Sequence, residues 1–264
     1  MNKIFTSRRT FINNSLALIT GTICYPSTLF PANVRLDDNL RAKVKNLVFL
    51  FQGDSITDGN RGRSLDPNHI MGHGYAYSVS SRIGADFPDQ GFEFYNRGIS
   101  GNKVSDLLKR WEEDTIALKP DVLSILVGIN DVIFSVNTLK GESILADFEQ
   151  EYRFLLQKAR RSNPEVLLVL GLPFVYPISN IKNNWDLYEK GVSQQCQVIK
   201  KLANEFDAIL LDYKLIFDQA IKKMPVNYWI WDGIHPTVFG HELMSRYWIE
   251  KVSERIKFLK FYVK

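Results

Sequence analysis

Five short apolar runs, each followed by a longer amphipathic one, constrain the fold of this chain more than any other feature. They are NLVFLFQ (46–52), FEFYNRG (92–98), DVLSILVGIN (121–130), EVLLVLGLP (165–173) and AILLDY (208–213). The later runs are nearly continuous in Val, Leu and Ile, the pattern of strands buried on both faces in a parallel sheet. Helical spacing marks YAYSVSSRIGADF (75–87), KVSDLLKRWEEDTIAL (103–118), ILADFEQEYRFLLQKARRS (144–162) and NWDLYEKGVSQQCQVIKKLANEF (184–206). VFGHELMSRYWIEKVSERI (238–256) closes the chain, with Thr237 placed to cap it. Strand then helix, five times over, predicts a doubly wound α/β fold: a five-stranded parallel sheet with helices on both faces, in three α/β/α layers. If the strand order is the flavodoxin-like 2-1-3-4-5, strands one, two and three are neighbours. Ligands of such sheets bind beyond the carboxyl ends of the strands, where the order reverses.

Residues 1–35 stand apart from this pattern. They carry Lys3, Arg8, Arg9 and Arg35 and no acid, and an apolar run from Phe11 to Tyr25 is broken by Asn13 and Asn14. A basic start followed by roughly 15 apolar residues is the layout of an export signal, and SRRTFI resembles the twin-arginine type. A disordered or surface-lying terminus is the alternative. Cleavage is expected near residues 25–35, leaving a single domain over 36–264 in the periplasm or outside the cell, with no stable membrane insertion. A lipid anchor on Cys24 is disfavoured by Ile23, which stands where a small residue is needed.

The leader also explains the charge. The chain holds 33 basic and 29 acidic residues; without the four leader bases the two balance, so the excess argues for no nucleic acid partner. Cys196 is then the sole cysteine, which excludes an intrachain disulfide and a cysteine-rich metal site.

The segments that follow strands one to three carry polar residues onto one rim. GDSITDG puts Ser55 at the end of the first strand, with Gly53 allowing a tight turn. NRGISGN surrounds Ser100 with Gly98 and Gly101, so that its backbone can approach a ligand. GIND closes a very apolar strand with Asn130 and Asp131, and WDGIHP supplies Asp232 and His235 three residues apart. A neutral imidazole can take a hydroxyl proton near neutral pH if a carboxylate on its other nitrogen fixes the tautomer. Each segment alone also fits a plainer reading: a turn serine, a glycine turn, a polar strand end, an exposed histidine before a helix.

Together, in this order, the four segments resemble the blocks of the SGNH hydrolases, the GDSL lipase and esterase superfamily, with GDSI here in place of GDSL. The resemblance spans residues 53–236. It implies the fold already expected and a serine esterase that needs no metal or organic cofactor. Ser55 would be the nucleophile, His235 the general base and then acid, and Asp232 the residue that orients the imidazole. The Ser55 N–H, the Gly101 N–H and the Asn130 side-chain amide would form the oxyanion hole.

Within the superfamily the motifs most resemble the acetylxylan esterases and related carbohydrate acetylesterases. The expected substrate is therefore a short-chain acyl ester, such as an acetylated xylo-oligosaccharide. Trp231, Tyr176 and Trp185 are candidate sugar-binding faces. A short-chain lipid esterase, lysophospholipase or thioesterase shares the same catalytic residues, and a non-catalytic carbohydrate-binding protein is the remaining alternative. His69 and His73 lack an obvious third metal ligand, and His241 is expected in helix packing or capping. Asp54, Asp58 and Asp131 are expected to brace loops. Assembly of several copies stays open.

Overall fold

The computed structural model describes residues 45–138 and 141–263; the export-signal reading of residues 1–35 lies outside them. Strands β1 (Val48–Gly53), β2 (Glu93–Asn96), β3 (Val122–Leu126), β4 (Leu167–Gly171) and β5 (Ile209–Leu211) form one parallel sheet in the order β2-β1-β3-β4-β5. This is the order expected. Alternation along β1 sends Phe49 and Phe51 to one face and Leu50 to the other.

Helices cover both faces. Helices α1 (Ser55–Asp58) and α2 (Tyr75–Asp86) follow β1, and α3 (Val104–Asp114) follows β2. After β3 come α4 (Ile129–Thr138) and α5 (Gly141–Ser162), and α6 (Trp185–Glu205) follows β4. After β5 come α7 (Tyr213–Ala220), α8 (Val226–Trp229) and α9 (Val238–Val252). Val79 and Ile83 of α2, Phe217 of α7 and Met244 and Trp248 of α9 pack with Phe49 and Phe51. On the opposite face Leu107 and Trp111 of α3, Tyr152 and Leu155 of α5 and Leu202 of α6 pack with Leu50, Leu123 and Leu168.

One contact in the first layer matters for the site. The Trp248 ring lies 5.5 Å from that of Phe51, both fully buried, and its Nε1–H is satisfied by Ser124 Oγ at 3.1 Å. Burying side chains of this size contributes roughly 2–3 kcal/mol each. Helix α9 and the loop before it are thus anchored to the strand that ends at Gly53, two residues before Ser55.

Several boundaries differ from expectation. The third strand stops at Leu126 instead of running to residue 130, and Ile129, Asn130 and Asp131 form the first turn of α4. The helix expected over 103–118 breaks at Thr115 into α3 and a 3₁₀ turn (Ile116–Leu118). The last helix ends at Val252. Its start is as expected, with Thr237 Oγ1 accepting the Gly240 N–H at 3.3 Å.

Candidate active site

The site begins with how β1 ends. At Gly53 φ is +157°, and a Cβ there would lie 2.2 Å from the Leu126 carbonyl oxygen. Only glycine lets β1 turn this close to β3. Asp54 then caps α1, its carboxylate accepting the Ile56 N–H at 3.1 Å. Burial pushes the Asp54 carboxyl up to about 7, against the pull of that hydrogen bond and of His235. Ser55 follows as the first residue of α1.

The histidine arrives from the other end of the chain. Ser55 Oγ lies 2.8 Å from His235 Nε2, and His235 Nδ1 lies 2.7 Å from Asp232 Oδ2. The other Asp232 oxygen accepts the Ile234 N–H at 2.9 Å and the His235 N–H at 2.7 Å. The loop is closed at its base by a bridge between Ile230 and Pro236 and by the Trp231 N–H on the His235 carbonyl at 3.1 Å. Acid and imidazole therefore sit in one short, tied loop.

The electrostatics agree with the distances. The hydrogen bond that His235 donates to Asp232 raises the basicity of the imidazole above its ordinary value, with burial opposing. For Asp232, burial pushes the carboxyl up, but the hydrogen bonds from His235 and Ile234 outweigh it and leave the carboxyl below its usual range. In the neutral ring the carboxylate holds the proton on Nδ1, which leaves Nε2 free to accept the Ser55 hydroxyl. Such an arrangement can draw off a hydroxyl proton as the oxygen attacks.

The loop after β2 carries Gly101, whose φ of +83° lies in the left-handed region and whose missing Cβ would meet no atom within 4 Å. This loop is held from several sides. Ile99 N–H donates to Gly53 O at 3.1 Å, and Ser100 N–H donates to Asp58 Oδ2 at 2.9 Å. The Arg110 guanidinium donates to Asn102 Oδ1 at 2.9 Å, to Arg97 O at 2.7 Å and to Gly53 O at 3.4 Å. Asn130, in the first turn of α4, donates from Nδ2 to Asn102 O at 3.2 Å, so Asn130 is tied to the residue that follows Gly101. Asp131 braces the same corner, accepting the Val104 N–H at the start of α3. Asp54, Asp58 and Asp131 all act on loops and helix ends.

A cavity of ≈ 260 Å³ opens beside Ser55 and His235. Trp231 lines it, 63% exposed, its ring nearly parallel to the His235 imidazole at 6.0 Å. Tyr176 does not reach it: the ring is buried beside Phe217 and its hydroxyl donates to Asp218 at 2.7 Å. Tyr176 is a packing residue, because the chain after β4 turns inward there. Trp185 lines a different cavity of ≈ 660 Å³ with Lys190, Cys196 and Lys214. The expectation that these two rings join Trp231 is therefore not met. His69 pairs with Asp66 on the surface, whereas His73 and His241 line the site cavity. Arg110, His73 and His241 are the site residues that sequence reasoning missed; spacing alone carried no signal for them.

Known proteins resemble the chain over this same span. The GDSL-like Lipase/Acylhydrolase family profile matches residues 51–243. An acetylxylan esterase of Geobacillus stearothermophilus is 34% identical over 209 residues, covering 77% of this chain and 93% of that protein. Its crystal structure superposes with a TM-score of 0.68 at 33% identity, covering 80% of this chain and 96% of the other. Variants of that esterase described as catalytic mutants replace a serine, an aspartate and a histidine, the last two three positions apart. A putative GDSL-like lipase from Parabacteroides merdae superposes with a TM-score of 0.74 at 34% identity, covering 79% of this chain and 96% of that one. The chain belongs to the GDSL-like lipase/acylhydrolase (SGNH) family and is an ester hydrolase.

Proposed function

We propose that this esterase removes short acyl groups, chiefly acetyl, from carbohydrate such as acetylated xylo-oligosaccharides, through a Ser55–His235–Asp232 triad and an acyl-enzyme. The observation that carries the reading is the unbroken relay from Ser55 Oγ to His235 Nε2 at 2.8 Å and from His235 Nδ1 to Asp232 at 2.7 Å.

In this mechanism Ser55 Oγ attacks the ester carbonyl while His235 Nε2 takes its proton. Asp232 stabilises the imidazolium that forms. The charge that develops on the carbonyl oxygen is met by the Ser55 N–H, the Gly101 N–H and the Asn130 amide. One Asn130 amide hydrogen is spent on Asn102 O, and the second remains for the oxyanion. Collapse of the tetrahedral intermediate expels the alcohol, which takes the proton back from His235. Water activated by the same imidazole then attacks the acyl-serine, and the acid leaves.

The substrate class rests on two supports: the similarity to an acetylxylan esterase and the exposed Trp231 indole at the mouth of the site. Acetate release from acetylated xylo-oligosaccharides, compared with aryl esters of increasing chain length, tests it. Activity that falls steeply beyond acetate is expected, together with turnover of the sugar ester. Activity that rises from acetate to octanoate would instead favour a lipid esterase.

A further inference from the structure

His241 takes no part in the reaction set out above, yet its ring lines the same cavity as Ser55 and His235. It lies in the first turns of α9 and is only 7% exposed. Its Nδ1 accepts the Tyr75 N–H at 3.1 Å, one of the donors that the first turn of α2 leaves unpaired. The ring is confined there, since Gly74 brings its backbone so close that a Cβ would stand 3.3 Å from His241 Cε1.

That hydrogen bond fixes the tautomer. A ring nitrogen that accepts carries no proton, so the neutral imidazole holds its hydrogen on Nε2. Burial keeps the ring neutral, pushing its pKa down to about 4, and the nearby His73 and His235 act in the same direction. No described residue accepts from Nε2. His241 lines the cavity, and a donor there without a protein partner bonds to whatever fills the cavity.

We infer that the His241 Nε2–H is a substrate-binding donor that recognises a hydroxyl or ether oxygen of the sugar bearing the ester. The inference rests on the carbohydrate reading above and adds to it the residue that reads the sugar. Asn60, His73 and Ser100 line the same cavity, whose ≈ 260 Å³ suits a single polar ring. An alkyl chain would offer the donor no acceptor.

The two polar atoms of His241 can be tested separately. His241→Asn keeps an acceptor for the Tyr75 N–H and deletes the Nε2–H; His241→Gln places an amide donor near the Nε2 position. Both variants and the wild type are assayed on a mono-O-acetyl methyl xyloside, on each of its mono-deoxy congeners and on phenyl acetate. In the wild type, removing the recognised substrate oxygen should lower kcat/KM about tenfold. In His241→Asn the same removal should matter by less than about twofold, the variant's deficit on the full xyloside lying in KM. His241→Gln should recover part of that deficit. Equal losses on xyloside, deoxy congeners and phenyl acetate, with the wild type active on all, would overturn the role of His241 and leave the carbohydrate reading intact. A wild type that cleaves phenyl acetate but no sugar ester would overturn both.

Discussion

Arg110 and Asn102 join the two halves of the rim: the guanidinium Nε donates to Asn102 Oδ1 at 2.9 Å, and the Asn102 carbonyl accepts from Asn130 at 3.2 Å. Because the same guanidinium reaches Gly53 O and Arg97 O, one side chain of α3 ties the end of β1 to the loop bearing Gly101. Arg110 touches no reacting atom; it is a positioning residue.

Arg110→Lys keeps a charge for Asp114, which lies 2.9 Å from the guanidinium, but loses the planar fork. The expected result is a drop in kcat of about tenfold, larger than any change in KM, because misplacing the proposed oxyanion donors would weaken transition-state binding. Steady-state kinetics on an aryl acetate check this. A variant that changed KM alone would show that the fork does not set the geometry of the donors.

Replacing the reacting groups should produce graded losses. Ser55→Ala is expected to lower kcat by something approaching 10⁶, and Asn130→Ala by about 10² to 10³, or roughly 2.7–4 kcal/mol. Near-normal turnover in Ser55→Ala would refute the assignment of the nucleophile.

The pH dependence follows from the raised basicity of His235 and the lowered pKa of Asp232. kcat/KM should fall on acidification, as His235 gains its proton at a pH above the ordinary 6.5. Of the two contributions to stability, that of His235 moves in the opposite sense and that of Asp232 in the same sense. The contribution of His235 is fully present below the unfolded pKa and is lost as pH rises through the folded one; that of Asp232 is present above 3.8 and lost as pH falls through its lowered folded value. Asp232→Asn should shift the acid limb of the rate profile to lower pH and reduce kcat by about 10⁴. Rate profiles and urea midpoints across pH, for both proteins, measure the two trends together.

The two glycines of the site should separate folding from chemistry. Gly53→Ala forces a Cβ to within 2.2 Å of the Leu126 carbonyl oxygen and should cost about 3 kcal/mol of stability. Gly101→Ala meets no atom within 4 Å, so its cost is the backbone strain of a positive φ, about 1–2 kcal/mol. Its kcat should nevertheless fall, since the new methyl would stand beside the proposed oxyanion donor. Chemical denaturation with parallel kinetics distinguishes them, and a Gly101→Ala enzyme with unaltered kcat would remove that N–H from the mechanism.

The sheet was legible because strands buried on both faces are apolar nearly throughout, and the runs at 122–126 and 166–171 are, with Ser124 the one polar side chain among them. The start of α4 was not, since Val127 and Ile129 extend the apolar run beyond β3 and hide the change of period at Gly128. The four blocks pointed to Ser55, Gly101, Asn130, Asp232 and His235 because the proposed chemistry calls for those residue types in those loops. Aromatic rings carry no such signal: Tyr176 and Trp231 are alike in sequence, and only the path of the chain buries one beside Phe217 and leaves the other at the cavity mouth. His241 was expected to cap or pack, and it does cap Tyr75; what stayed hidden was that this partner, 166 positions away, fixes the tautomer of a ring that lines the cavity.

Ser55 and His235 are 180 positions apart, while Asp232 and His235 share one tied loop. The acid–base pair can form locally, early, and without any knowledge of the nucleophile. Turnover can start only when the carboxyl-terminal quarter of the chain has docked through Trp248 onto Phe51. In a renaturation experiment, returning enzyme activity would therefore time that last docking event, trailing behind the recovery of helical signal.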